Sequence, residues 1–364
     1  MEFPFLRPSF FMGFPSLSRR CGDANCPKIF GNSLFFDPGA EVPGNSMVSS
    51  GAAQQRESFS ESRKTQKQEV HMTAVESVGR AIEIHDLWKI YSRTKKNRYG
   101  AEVLRDPRRL ESLQEDSDAV LAVKGVSLGV APGETFIIMG LSGSGKSTLI
   151  RCLLRLVEPT GGSIKINGQE VTSMSSSELV AFRRRQVAMV FQHYGLLPHR
   201  TVLQNVCFGL RLRGEPSGEC REKAFEAIRK VGLEGWEEYH PVSLSGGMRQ
   251  RVGIARALVM GSPIMLMDEP FSGLDPLIRR ELQDELMRLQ EEMKKTIFFV
   301  THDLSEALRL GDRMAVMRDG RVVQVGTPEE IISDPVDDYV ARFVQDEREQ
   351  IRRAERRMAN KVAG

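Results

Sequence analysis

The sequence predicts an α/β fold built on a mostly parallel central sheet, with an antiparallel β subdomain and a helical subdomain beside it. Three observations carry that prediction. Short, wholly apolar runs such as Thr135–Met139 and Ile264–Met267 read as strands buried on both faces. These runs alternate with helical segments, as the crossovers between parallel strands require. Finally, Gly140-Leu-Ser-Gly-Ser-Gly-Lys-Ser147 lies between an apolar strand and a helix, the setting in which a glycine-rich loop cradles phosphate.

With 364 residues the chain is long enough for about two domains and a sizeable core. Its 40% hydrophobic and 27% charged residues are ordinary for a globular protein. A net charge of +3 gives no sign of a nucleic-acid partner. No apolar run approaches the ~18 residues that cross a bilayer, so a membrane role requires a partner chain. The cysteines, Cys21, Cys26, Cys152, Cys207 and Cys220, are scattered and form no CxxC pair. That pattern argues against a disulfide framework or a metal cluster, and for a reducing compartment.

Residues 1–75 are rich in Pro, Gly, Ser and Phe and have no sustained period. They are expected to be disordered, or to be an over-extended reading frame with the native start at Met47 or Met72. The folded domain is expected over 81–345. Ala81–His85 alternates like a strand, and Leu87–Tyr91 follows it. Val103–Leu113 reads as helical, with Pro107 limiting its start. Val120–Val123 and Val126–Val130 read as two strands, and Pro132-Gly133 as a turn. After the strand Thr135–Met139, a helix is expected over Ser147–Leu156. Asn167-Gly168 after Ile164–Ile166, and Asp319-Gly320 between Met314–Met317 and Val322–Val325, are hairpin signals. Val187–Phe191, Ile264–Met267 and Thr296–Val300 read as strands. Glu219–Val231, Gly247–Met260, Pro276–Met293 and Leu304–Leu310 read as helices. The helical subdomain is expected at about 193–260, and residues 346–364 form a charged tail.

The chemistry is legible in pieces. Gly140–Ser147 fits G-x-x-x-x-G-K-S/T. Its glycines (Gly140, Gly143, Gly145) and the intervening Ser142 and Ser144 let backbone N–H groups approach phosphate. Lys146 brings a positive charge to the β and γ phosphates, Ser147 offers a hydroxyl to Mg²⁺, and Thr148 continues into the helix. Asp268 and Glu269 emerge at the end of an apolar strand. Asp268 suits Mg²⁺, and Glu269 can polarise the attacking water. Taken alone, such an acidic pair is common at strand ends. Ser245-Gly246-Gly247 opens a helix and makes a second anion site. One phosphate loop in the chain already holds a nucleotide, so a second anion site points to a second nucleotide contact.

Leu244-Ser-Gly-Gly-Met-Arg-Gln250 resembles the signature motif of ABC ATPases, and about residues 81–345 share the resemblance. It implies a P-loop NTPase fold of the ABC type. It implies too that Ser245, Gly246 and Gly247 contact the γ-phosphate of ATP held by a second copy of the chain. Gln192 then resembles the Q-loop glutamine, contacting Mg²⁺ and water, and His302 the switch histidine. Asp275 resembles the coupling aspartate between the two sites, and Tyr91 the aromatic that stacks on adenine. Trp88 competes for that last role. Arg155–Thr160, Val190–Pro198 and Asp268–Pro276 are similar to the ATPase subunit of glycine betaine/proline importers. That resemblance implies ATP and Mg²⁺ as cofactors. It implies integral membrane permease subunits as partners, an extracytoplasmic solute-binding protein acting indirectly, and no nucleic acid. It places the chain at the cytoplasmic face of the inner membrane. The alternatives are a soluble ABC ATPase acting on ribosomes or DNA, or an importer of another small solute such as an amino acid. Many such subunits continue into paired regulatory domains, whereas about twenty residues follow the domain here.

Overall fold

The structure, a computed structural model, describes residues 79–345 apart from 94–98, 107–111, 114, 115, 117 and 193, together with residue 349. The segment 1–75 and all of the tail except residue 349 lie outside the described residues.

Two sheets organise the described chain. Strands β1 (Ile82–Ser92), β2 (Ala119–Val130), β4 (Gly161–Ile166) and β5 (Gln169–Glu170) form an antiparallel sheet in the order β2-β1-β4-β5. Each pair of short strands expected at 81–91 and at 120–130 is a single long strand. The ladder between them slips register around Asp86 and Gly125, at φ 43° and 62°. Bulges of this kind bend and twist a strand without ending it, which is why the pattern of alternation breaks where the strand does not. The helix expected at 103–113 is seen in part: Ser112 and Leu113 are helical, while 107–111 lie outside the described residues. Its described start is a 3₁₀ turn, Ala101–Arg105, closed by an extended Asp106 at ψ 105°. Asp106 precedes Pro107, whose ring disfavours the helical region for the residue before it.

The second sheet contains β3 (Thr135–Met139), β6 (Val187–Val190), β7 (Ile264–Asp268), β8 (Thr296–Val300), β9 (Arg313–Arg318) and β10 (Arg321–Gly326). Their order is β10-β9-β3-β8-β7-β6, with β10 alone antiparallel. Both expected hairpins form. Asn167-Gly168 and Asp319-Gly320 take positive φ at both positions, as a two-residue turn matched to the right-handed strand twist needs.

Nine helices are seen among the described residues. They are α1 (Lys146–Leu153), α2 (Ser176–Arg185), α3 (Val202–Leu212), α4 (Ser217–Lys230), α5 (Gly246–Leu258), α6 (Pro276–Met293), α7 (Leu304–Leu310), α8 (Pro328–Ser333) and α9 (Asp338–Phe343). Reciprocal capping boxes start α2, α3 and α8, through Ser175/Glu178, Thr201/Gln204 and Thr327/Glu330. Helix α1 is shorter than expected. It begins at Lys146 and ends at Leu153.

The parallel sheet sorts its side chains by pleat. Ile137, Met139, Met265, Met267, Ile297 and Phe299 join the core cluster that contains α3, α4, α5 and α6. Phe136, Ile138, Ile264, Leu266, Phe298 and Val300 join the cluster that contains α1, α2 and the antiparallel sheet. Two-sided burial is the reason these strands are apolar at every position. Helices α3, α4 and α5 also pack on one another. The parallel register brings the C-terminal ends of β3, β8, β7 and β6 to one edge of the sheet. Ligands of open α/β sheets bind along this edge.

Candidate functional site

The loops that follow these four strands meet at that edge. After β3 the chain enters Gly140–Gly145 with φ of 148°, 83° and 102° at Gly140, Gly143 and Gly145. Two of these glycines are also required by space. A Cβ on Gly140 would stand 2.3 Å from Met317 O, and one on Gly145 would stand 2.2 Å from Ala122 O. Lys146 is 4% exposed, and its Nζ donates to Gly140 O at 2.7 Å and Leu141 O at 3.0 Å. The ammonium therefore sits in the curl of the loop, held by carbonyls. Burial lowers its pKa, while Glu269 and Asp268 act to raise it. Ser142 and Gly143 are exposed on the loop crest, and Thr148 is half-buried on α1. The Ser144 hydroxyl is buried without a partner.

Strand β7 delivers the carboxylates. Asp268 is 1% exposed. It accepts a 2.9 Å hydrogen bond from Ser147 Oγ and a 3.4 Å one from an Arg151 guanidinium nitrogen. Glu269 stands in the left-handed region at φ 46°, a conformation that costs an L-residue about 1–2 kcal/mol. Its N–H donates to Val300 O at 2.9 Å and holds the kink in place. The kink turns the Glu269 carboxylate toward two other loops. Gln192 Nε2, from the loop after β6, donates to Glu269 Oε2 at 3.1 Å. His302 Nδ1, from the loop after β8, lies 3.2 Å from the same oxygen. Thus Lys146, Ser147, Asp268, Glu269, Gln192 and His302, widely separated in sequence, form one cluster.

The remaining expected residues lie outside this cluster. Ser245 caps α5 by accepting from Met248 N at 3.3 Å, and it is exposed. Gly246 faces Leu274 and Tyr194, and a Cβ on Gly247 would come within 2.5 Å of Ile278. Asp275 caps α6 through Leu277 N at 2.9 Å. Ser245–Gly247 and Asp275 therefore share a surface at the start of α5 and α6. Tyr91 is half-buried, with Lys89 Nζ 4.8 Å from its ring centroid. Trp88 is 9% exposed and its indole N–H donates to Asp86 at 2.8 Å, so it is a core residue of β1.

Several neighbours were not evident from sequence. Arg151 reaches Asp268 from the far end of α1. Arg279 bridges Asp303 at 2.8 Å and Leu274 O at 3.4 Å. Buried Asn205 in α3 accepts from Leu197 N and donates to the carbonyls of Leu197, Arg200 and Thr201, fixing the chain that follows Gln192. An asparagine in an otherwise apolar helix face was a readable signal for that role.

The donor set fits Mg²⁺ rather than a softer ion. Ser147, Asp268 and the Gln192 amide offer oxygen, and no group of three or more His, Cys, Asp or Glu able to hold a metal occurs among the described residues. A site with one carboxylate, a hydroxyl and substrate phosphates is how proteins usually hold Mg²⁺. Helix α1 also aims its N-terminus at the loop, favouring an anion there.

Residues 123–272 match the family model for the ABC transporter domain. The chain is 51% identical over 266 residues to the trimethylamine N-oxide transport ATP-binding protein of Ruegeria pomeroyi, covering 73% of this chain and 77% of the relative. It is 50% identical over 262 residues to the glycine betaine/proline betaine transport ATP-binding protein of Escherichia coli. That match spans 72% of this chain and 65% of the relative, less than two thirds of its length. A solved dimeric ATP-binding cassette, bound to ADP and Pi in a post-hydrolysis state, superposes with a TM-score of 0.58 at 31% identity. It covers 68% of this chain and 98% of that one.

Proposed function

This chain belongs to the ABC transporter family of ATP-binding proteins, and from that premise we propose that it is the ATP-hydrolysing subunit of an importer for a quaternary amine osmolyte such as glycine betaine, proline or choline. One observation carries the catalytic part. Gln192 and His302 converge on a single oxygen of Glu269, beside the paired Ser147 and Asp268.

In this reading Lys146 exchanges the carbonyls of Gly140 and Leu141 for the β and γ phosphates. The backbone N–H groups of Gly140–Ser147 complete the cradle. Ser147, Asp268 and Gln192 would hold Mg²⁺, which would supply positive charge to offset that of the phosphate oxygens. Glu269 takes a proton from the attacking water as general base. Gln192 and His302 hold the Glu269 carboxylate in line, and His302 reaches the γ-phosphate. Tyr91 stacks on adenine. A second copy supplies Ser245, Gly246 and Gly247 to the far side of the same ATP, and Asp275 couples the two sites. The exposed placement of Ser245 and Asp275, each capping the start of its own helix, supports that role.

No described helix is long and apolar enough to cross a membrane. The chain is peripheral to the cytoplasmic face of the inner membrane, held there by permease subunits, while a solute-binding protein acts on the opposite side. Its relatives, ATP-binding proteins of transport systems for glycine betaine, proline betaine and trimethylamine N-oxide, support the class of solute.

Glu269→Gln tests the catalytic reading. It is expected to bind ATP normally and to hydrolyse it ~10²–10⁴-fold more slowly; turnover at the native rate rejects Glu269 as the base. Uptake of radiolabelled betaine by vesicles containing the co-purified permease tests the solute class. No ATP-dependent accumulation of betaine, proline or choline would reject it.

A further inference from the structure

The loop that carries His302 is clamped from both sides. Thr301, 2% exposed, continues β8 by donating its N–H to Ile138 O at 3.1 Å. Its hydroxyl accepts from Asp303 N at 3.0 Å. The one remaining hydroxyl proton is donated to Glu306 Oε2 at 2.6 Å. Glu306 is 3% exposed on the inner face of α7. On the other side of His302, the Asp303 carboxylate caps α7 through Ser305 N and pairs with Arg279. His302 thus has Thr301 bonded to Glu306 before it and Asp303 bonded to Arg279 after it. Glu306 itself touches neither the phosphate loop nor Glu269 in any of these contacts. Its hydrogen-bonded link to the site passes through Thr301.

We propose that Glu306 is a positioning residue for His302, acting through Thr301, and that its carboxyl makes ATP turnover depend on pH. The proposal rests on the catalytic reading above. Burial first, and then the nearby Asp303 carboxylate, push the Glu306 carboxyl up to about 7, against the Thr301 hydrogen bond and the charges of Arg279 and His302. Near neutrality the group therefore passes between two states. As a carboxylate it only accepts, so the Thr301 proton must point at it and the hydroxyl oxygen stays free for Asp303 N. As a carboxylic acid it gains a proton that can be donated to Thr301 Oγ1, competing with Asp303 N for the same lone pairs. A hydrogen bond to a charged acceptor is also roughly twice as strong as a neutral one. The ionised form therefore holds the loop, and kcat rises with pH.

The test is the pH profile of ATP hydrolysis by the full chain between pH 6 and 8. In the parent protein kcat should rise about fivefold through a step near pH 7, the size expected from ~1 kcal/mol of hydrogen-bond energy. Glu306→Gln, which cannot ionise, should remove that step while KM for ATP stays within about twofold. Thr301→Val should remove it as well, whereas Thr301→Ser, which keeps the hydroxyl, should retain it. The inference is overturned if Glu306→Gln keeps the parent step. It is equally overturned if its KM moves as much as its kcat, or if Thr301→Val behaves as Thr301→Ser. A variant that unfolds is recognised by its melting curve, and the Thr301 pair then decides the question. A Glu269→Gln protein assayed alongside separates the two levels of argument: native-rate hydrolysis by that variant removes the catalytic reading and this inference together, while its expected loss leaves Glu306 to be judged by its own profile.

Discussion

Lys146 is a buried cation resting on two carbonyl oxygens, an arrangement that costs desolvation and is relieved when phosphate arrives. Lys146→Ala should therefore abolish measurable ATP binding by calorimetry while leaving the fold intact, since the loop is shaped by its glycines; undiminished affinity would reject the phosphate-loop assignment. Glu306 has a linked effect on stability. Its pKa is raised in the folded chain from 4.5 to about 7. The folded state consequently binds its proton more tightly than the unfolded chain does. The associated stability is complete below about pH 4.5 and is lost as pH rises through 7. Glu306→Gln should remove this dependence, making the variant the more stable of the two at pH 8 by at most ~3 kcal/mol. Urea melts of both proteins at pH 5 and pH 8 would measure it, and a stability difference independent of pH would contradict the assignment. The residues of the phosphate loop, the acidic pair and the glycines opening α5 were readable because each motif is local. Glu306, Arg279 and Arg151 were not, because nothing in a sequence states that Arg279 will lie beside Asp303 or Arg151 beside Asp268.

Elements place those residues, and the strands do so with little freedom. Glu269 can face Gln192 and His302 only because β7 lies between β6 and β8 in parallel register. Gly162 shows the same economy in the antiparallel sheet. It has φ 89°, and an added Cβ would lie 2.2 Å from Asp86 O, on the neighbouring strand β1. Gly162→Ala should destabilise the protein by roughly 1–3 kcal/mol in urea melts, through backbone strain at a position that must give way. Asn205 makes the equivalent argument for helix α3. Asn205→Ala would leave the N–H of Leu197 and the carbonyl of Arg200 without this partner, while Leu197 O and Thr201 O keep the backbone donors Arg200 N and Asn205 N. A loss of ~1–3 kcal/mol is expected, together with slower hydrolysis, since these bonds shape the chain just after Gln192. The buried strands and both hairpins were legible because two-sided burial and Asn-Gly or Asp-Gly turns leave plain marks. The capping boxes Ser175/Glu178, Thr201/Gln204 and Thr327/Glu330 were present in the sequence and marked helices that apolar period alone did not pick out. The bulged strands β1 and β2 were misread as pairs because a bulge interrupts the period of two while the hydrogen-bonded ladder continues.

At the scale of the whole molecule, the surface beside Ser245–Gly247 and Asp275 carries the proposed pairing with a second copy. Leu277 is 67% exposed there, next to the Ile278 that packs on Gly247. Leu277→Asp should weaken ATP-dependent dimerisation of the Glu269→Gln protein, seen as a shift toward monomer in sedimentation velocity; dimers formed equally well would place the interface elsewhere. The chemistry proposed for this protein was legible in its sequence alone. The expected phosphate loop, acidic strand end and glycine-rich helix start each depend on residues adjacent in the chain, and the resemblance they carry implied a nucleotide shared between copies. Only the tertiary structure decided that Gln192 and His302 meet on one oxygen of Glu269, that Trp88 belongs to the core while Tyr91 stays half-buried beside Lys89, and that the histidine loop is tied to a buried acid. Those outcomes depend on strand order and on burial, and both arise when distant segments pack together to remove apolar surface from water.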